Sequence, residues 1–235
     1  MAIKGILFDK DGTLIACNNV WGPMYMEMLI THFGYGRLQA LKLVQSTGYD
    51  DTTGGLRGGS PMAAGTLDQI MRVWWPDFSP EERAEHIQIF NQHADQNAKN
   101  FVEPLLELAP LFEAFHAEGY SLGIATNDSE ASAKRHLDVL GVRLYFDVVL
   151  GADSVKDAKP SGQMVKRFAE ITGLTTAEVA MVGDNTHDID EARAGGAGLA
   201  VGVLSGNSNA NDLAPHADHL IANVGELLPL LLSLR

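Results

Sequence analysis

The residue types able to do chemistry in this chain occur in short clusters, each following an apolar run. Ile3–Phe8 leads into Asp9-Lys10-Asp11-Gly12-Thr13, and Leu122–Ala125 into Thr126-Asn127-Asp128. Phe146–Leu150 precedes a loop carrying Lys159-Pro160, and Val179–Val182 leads into Gly183-Asp184-Asn185-Thr186-His187-Asp188. Short apolar runs of this kind read as buried strands. In parallel α/β sheets ligands bind beyond the carboxyl ends of the strands. Four acids (Asp9, Asp11, Asp184, Asp188), the Thr126 hydroxyl and the Lys159 ammonium should therefore converge on one sheet edge. Taken singly, each has an ordinary explanation. An Asp after a strand is a turn former or a helix cap, Thr126 a local backbone hydrogen-bonder, and Lys159 a solvated surface lysine. Together they need another account, because carboxylates gathered at one edge repel one another. A hard divalent cation relieves that repulsion, and Mg2+ held by one or two carboxylates plus a substrate phosphate fits best.

The elements that must position these groups follow from periodicity. After the first strand the pattern is helical from Trp21 to about Phe101, with helices expected at Pro23–Phe33, Arg37–Thr47, Thr66–Trp74 and Pro80–Ala98. Ser79 is placed to cap the last of these, with Pro80 in its first turn and Glu81-Glu82 where the helix dipole favours acids. The Gly-rich stretch Gly54–Pro61 reads as a flexible loop. Beyond it strands and helices alternate: helices at Pro104–Ala117, Ser129–Leu140, Gly162–Thr172, His187–Ala194 and Val224–Leu234, and strands at Leu122–Ala125, Phe146–Leu150, Val179–Val182, Leu199–Val203 and His219–Ala222. That rhythm predicts an α/β fold: a Rossmann-like parallel sheet core with helices on both faces. The first strand belongs to this core. The expected division is a catalytic core of residues 1–15 and 101–235 with an inserted, all-helical domain at 16–100.

The net charge of −13 argues against a nucleic-acid partner and against an anionic membrane surface, both of which call for clustered Lys and Arg. An anionic small substrate then needs a local cation to overcome the field. The single cysteine, Cys17, rules out an internal disulfide framework and a Cys-based zinc site; it reads as a small buried thiol, with a reactive thiol near the site entrance the competing reading. Leu227–Leu234, the longest apolar run, contains Pro229 and is too short to span a bilayer. No signal-peptide pattern precedes Asp9, so the expected location is the cytoplasm.

The sequence Asp9-Lys10-Asp11-Gly12-Thr13-Leu14 resembles the DxDGT signature of the haloacid dehalogenase-like phosphatases. The later positions are similar to that family's remaining motifs in order: Thr126 after the second strand, Lys159 before Pro160, and a GDxxxD run from Gly183 to Asp188. The helical insert sits where the family carries a helical cap. The resemblance implies that Asp9 attacks phosphorus to form an aspartyl-phosphate. It implies that Asp11 protonates the leaving group and then deprotonates the hydrolytic water, with its backbone carbonyl on the metal. Gly12 and Thr13 would shape the phosphate-binding turn. Thr126 and Asn127 would bond the transferring phosphoryl group, and Lys159 would neutralise Asp9 and phosphate together. Asp9, Asp11 and Asp184 would hold Mg2+, with Asp188 acting through a bound water or through Lys159.

The resemblance further implies a phosphatase acting on a small phosphorylated metabolite, with 2-phosphoglycolate the leading substrate. The competing readings are a phosphomutase of the same family and a non-catalytic, receiver-like phosphate binder. The family's dehalogenases lack the second acid, which is present here as Asp11. Outside the core, Arg57 in the Gly-rich loop is a candidate to read a second anionic group, a carboxylate for instance; a solvated loop arginine is the competing reading. His187, within the fourth motif, reads as a surface histidine at a helix start, with contact to substrate the competing reading, and Trp74-Trp75 are expected in the packing of the insert.

Overall fold

A computed structural model of the chain describes residues 2–16 and 20–235, with Asn100 and Phe101 through their helical backbone alone; Cys17 lies outside the described residues. Strand β1 (Gly5–Phe8) is followed by five helices: α1 (Trp21–Thr31), α2 (Arg37–Ser46), α3 (Pro61–Ala64), α4 (Leu67–Trp74) and α5 (Pro80–Phe101). The chain then alternates through α6 (Leu108–Ala117), β2 (Ser121–Ala125), α7 (Glu130–Val139), β3 (Val148–Leu150), α8 (Gln163–Thr172) and β4 (Val179–Gly183). It closes with α9 (Thr186–Gly195), β5 (Leu199–Val203), α10 (Ala210–Leu213), β6 (His219–Ile221) and α11 (Leu227–Ser233).

The six strands form one parallel sheet in the order β3-β2-β1-β4-β5-β6. The first strand in sequence is thus central, and the chain winds outward from it in both directions. This reversal is the topological switch point at which doubly wound sheets open a crevice for ligands. Side-chain alternation along β1 feeds two cores. Ile6 and Phe8 enter one with Phe112 and Phe115 of α6 and Leu137 of α7. Leu7 enters the other with Phe168 of α8 and Ile189 of α9. Near-continuous apolar strands result, because both faces are covered.

Helices α1–α5 bury a separate apolar cluster of Met24, Tyr25, Met28, Ile70, Trp74, Trp75 and Phe90. Trp74-Trp75 pack here as expected, their indole N–H groups donating to the Leu43 carbonyl at 2.8 Å and the Tyr35 hydroxyl at 2.7 Å. The N-terminus of α5 forms as its sequence predicts, with Ser79 accepting from Glu82 N and Glu82 returning the bond to Ser79 N. Two expectations need correction. The helix read from Pro104 starts at Leu108, because Pro104 bridges antiparallel to Ile15 and Leu105 N donates to the Leu14 carbonyl. The stretch read as a flexible loop is pinned: Leu56 bridges Tyr49, and Ser60 caps the short helix α3 at Ala63 N.

A buried acid fixes the loop that carries Lys159. Glu191 of α9 is fully buried and accepts from three backbone N–H groups at the start of α8, those of Gly162 (2.6 Å), Met164 (2.8 Å) and Val165 (3.2 Å). The carboxylate satisfies donors that a helix start leaves without partners, and its charge suits the positive end of the helix. Glu191→Gln places an amide N–H against these donors. The expected result is a loss of about 2 kcal/mol, or a melting temperature lower by several degrees. A thermal melt of the variant beside wild type checks it.

Candidate active site

The sheet register brings the motif residues together. Phe8 stands opposite Ile124 on β2 and Val182 on β4. The chain therefore leaves the sheet at Asp9, Thr126 and Asp184 at nearly the same level, and Asp9 N still donates to the Val182 carbonyl at 2.8 Å. Gly12 has φ +80°, and a Cβ there would lie 2.6 Å from the Asp184 carboxylate, so the turn after Asp11 admits no side chain. Asp184 also accepts from Asn207 N at 2.8 Å, contributed by the loop after β5.

Carboxylate oxygens of Asp9, Asp184 and Asp188 all lie within 4.8 Å of one another, and all three residues are buried. Lys159 Nζ bridges two of them, donating to Asp9 Oδ1 and Asp188 Oδ1 at 2.6 Å each. The other oxygen of Asp188 accepts from Asn185 N at 3.0 Å. Both oxygens of Asp188 are thus engaged, which suits a group that orients Lys159. Burial raises the Asp9 carboxyl to about 6 against the pull of Lys159, with Asp188 adding to the rise. Burial, then Asp9 and Asp188, push Asp184 well above the usual carboxylate range. Crowded carboxylates with raised pKa values are what a bound cation would relieve. The donor set is all oxygen and hard, so it fits Mg2+. The Asp11 carboxylate stands outside this cluster and is paired with Lys10.

These groups line a partly open cavity of about 50 Å³, room for several waters or a compact phosphoryl group. Its floor is Asp9, Asp11, Thr126, Asn127, Lys159 and Asp184, and its roof comes from the helical insert through Trp21, Tyr25, Leu56, Met62–Gly65, Leu67 and Ile70. Thr126 is buried and its hydroxyl accepts from Asp128 N at 3.2 Å, so the hydroxyl proton remains available to a ligand. Asn127 ties three segments together. Its side chain accepts from Lys159 N at 3.1 Å and donates to the Lys159 carbonyl at 3.3 Å and to the Ala64 carbonyl of the insert at 2.6 Å.

Not every candidate reaches the cavity. Gly12 and Thr13 lie beneath it without lining it, Thr13 fully buried with its hydroxyl unpaired. Arg57 is exposed, its guanidinium 3.5 Å from the Gln45 carbonyl, and is absent from the lining. His187, expected on the surface, instead lines the cavity with a buried, unpartnered Nδ1; burial and then Lys159 lower its pKa. The reading from sequence also passed over Lys10, which is completely buried and paired with Asp11 and Asp128. A lysine between two acids was the available signal, since a charge so placed is paired wherever it is buried.

Fold and site together define a doubly wound α/β protein with a cluster of buried carboxylates at its switch point that could hold a cation, and a pocket above it that the helical insert helps to line. The model of the haloacid dehalogenase-like hydrolases matches residues 3–196, and the chain belongs to that family. It is a phosphatase of that family. A phosphoglycolate phosphatase of Neisseria meningitidis is 34% identical over 96% of this chain and 92% of its own length. The pyrophosphatase PpaX of Halalkalibacterium halodurans is 26% identical over 97% and 96%. Among solved structures, CbbY from Rhodobacter sphaeroides in complex with phosphate aligns with a TM-score of 0.73 at 18% identity, covering 96% of each chain. The fold of a haloacid dehalogenase-like hydrolase from Bacteroides fragilis agrees equally well, at 0.73 and 19% over 96% and 99%. No helix among the described residues is long and apolar enough to cross a membrane.

Proposed function

We propose that this protein is a cytoplasmic, Mg2+-dependent phosphatase that hydrolyses a small phosphorylated metabolite through a phosphoryl group on Asp9. The observation that carries the reading is the Asp9–Lys159–Asp188 chain beside Asp184, on the floor of one roofed cavity. Residues 16–100 act as a cap over a catalytic core of 1–15 and 101–235. The paired segments Leu14–Ala16 and Glu103–Leu105 form the crossing between the two, with Ala16 N donating to the Glu103 carbonyl at 2.9 Å.

In this mechanism an Asp9 carboxylate oxygen attacks phosphorus, and the bond from phosphorus to the leaving oxygen breaks. Asp11 gives its proton to that oxygen. A water then attacks the phosphoryl group, the bond to Asp9 breaks, and Asp11 recovers a proton from the water. Burial sets Asp11 at about 6 although the Lys10 ammonium pulls it down, so both protonation states are accessible near neutrality. Lys159 holds Asp9 in line and faces the transferring oxygens, while Thr126 donates its free hydroxyl proton to one of them. Asp9, Asp184 and the Asp11 backbone carbonyl would hold Mg2+, which when bound supplies positive charge to the phosphoryl oxygens.

The leading compound is 2-phosphoglycolate, because a relative of that name matches nearly the whole chain. A small phosphomonoester with an uncharged leaving group is the second reading. It is favoured by the roof, in which the insert contributes aromatic, aliphatic and backbone groups and no Lys or Arg. A carboxylate entering there would meet no cation from the insert. Phosphate release from 2-phosphoglycolate, pyrophosphate and neutral hydroxyalkyl phosphates, each with and without Mg2+, tests both. A preference for 2-phosphoglycolate of tenfold or more in kcat/KM would establish the first, and the reverse order the second. No release from any compound would count against the phosphatase.

A further inference from the structure

Lys10 is the cation that the mechanism above leaves unused, and its surroundings are specific. Its side chain is fully buried, and its ammonium pairs with Asp11 and, at 2.9 Å, with Asp128 beyond β2. The ring of Trp21, at the start of α1 in the insert, lies over it with the centroid 5.6 Å from Nζ. Trp21 also faces the ring of His136 on α7 at 6.2 Å and lines the cavity roof. A buried ammonium is costly unless well paired, and an apolar side chain would fill the same space without that cost. What an apolar residue could not do is hold Asp11 Oδ2 in an ion pair while Asp11 lines the cavity.

We propose that Lys10 is a positioning residue that fixes the Asp11 carboxyl for proton transfer, and that Trp21 makes this grip depend on the insert being seated on the core. The inference rests on the phosphatase reading and deepens it. The Asp128 carboxylate, 2.9 Å from the Lys10 ammonium, is its second partner. Trp21 shields the ammonium from water, so lifting the insert hydrates Lys10 and loosens its hold. Proton transfer is then efficient only beneath a closed roof.

The test uses p-nitrophenyl phosphate with Mg2+ in rapid-mixing kinetics. Its leaving group departs without a proton, so attack by Asp9 does not need Asp11, whereas hydrolysis of the phosphoryl-enzyme does. Lys10→Met is expected to release nitrophenol in a rapid burst near one equivalent per site. Slow turnover should follow, reduced about 10- to 100-fold from wild type, as misplacement of a catalytic group by about an ångström would give. Lys10→Arg, which keeps the cation, should recover part of the turnover. Trp21→Leu should show the same burst and slowing to a smaller degree. Because Lys10→Met alone leaves Asp128 buried without its cation, Lys10→Met/Asp128→Asn, lacking both charges, is measured beside it. A burst with slowed turnover in either folded variant supports the proposal. Turnover equal to wild type, or burst and turnover falling in step as general disruption would cause, overturns it. Absence of nitrophenol release by the wild type would instead sink the phosphatase reading, so the two failures are distinguishable.

Discussion

Asp9→Asn is expected to lower phosphate release by four to six orders of magnitude, about the range seen when a nucleophile is removed. The reason is geometric as much as chemical. A carboxylate is a weak nucleophile, so its rate depends on being held in line with the phosphorus. Asp9 is held by its backbone bond to β4 and by Lys159 at 2.6 Å. An amide keeps the shape but loses the negative oxygen and sets an N–H group towards the lysine. Phosphate release by the purified variant, followed over hours against wild type, measures the effect. Activity within a hundredfold of wild type would show that Asp9 is not the attacking group.

Asp184→Asn should cost on the order of a thousandfold in turnover, because the charge that would hold the cation is halved at its most crowded point. A physical readout accompanies the kinetic one. In the metal-free protein Asp9 titrates near 6 and Asp184 well above its usual range, in both cases chiefly through burial. Their folded pKa values exceed the unfolded ones, so the folded state binds more protons across that interval. The associated stability is complete below the ordinary carboxylate range; the Asp9 share is lost as pH rises through about 6, and the Asp184 share well above the ordinary carboxylate range. Mg2+ must displace those protons, so it binds more tightly as pH rises. The melting-temperature gain on adding Mg2+ should therefore be larger at about pH 7.5 than at about pH 5, and largely absent in Asp184→Asn. An equal gain at both pH values would place the cation elsewhere.

The central strand and its flanking motifs were legible because the physics is local. Ile6, Leu7 and Phe8 are apolar on both sides of the strand, and Asp9, Thr126 and Asp184 follow the ends of β1, β2 and β4, where the sheet must open. The register that brings Asp9, Thr126 and Asp184 to one level is a consequence of parallel pairing, and a parallel sheet was predictable from the strand–helix rhythm. Ser79, Pro80 and Glu82 announced their helix by capping chemistry alone.

What could not be read depends on contacts distant in sequence. Pro104 suits a helix start, yet its partner Ile15 keeps it extended. Lys10 would ordinarily be solvated; it is buried because Asp128, more than a hundred positions away, and Trp21 of the insert close around it. His187 sits at a helix start in any reading, but its place in the cavity lining and its buried ring nitrogen appear only in the folded chain. Arg57 has the loop chemistry to meet an anion, and the fold of that loop turns it to the Gln45 carbonyl instead. Glu191 follows the Gly183–Asp188 run by three positions, and its three backbone partners at the start of α8 appear only once α8 and α9 are packed together.

The most direct test of the account is to trap the phosphoryl-enzyme. In Asp11→Asn the first step with p-nitrophenyl phosphate and Mg2+ retains its nucleophile and its leaving group, while the second loses its base. After mixing and acid quenching, the intact protein should carry the added mass of one phosphoryl group, mapped by peptide sequencing to Asp9. Nitrophenol release accompanied by an equal amount of free phosphate and unmodified protein, or a phosphoryl group on a different residue such as His187, would contradict it.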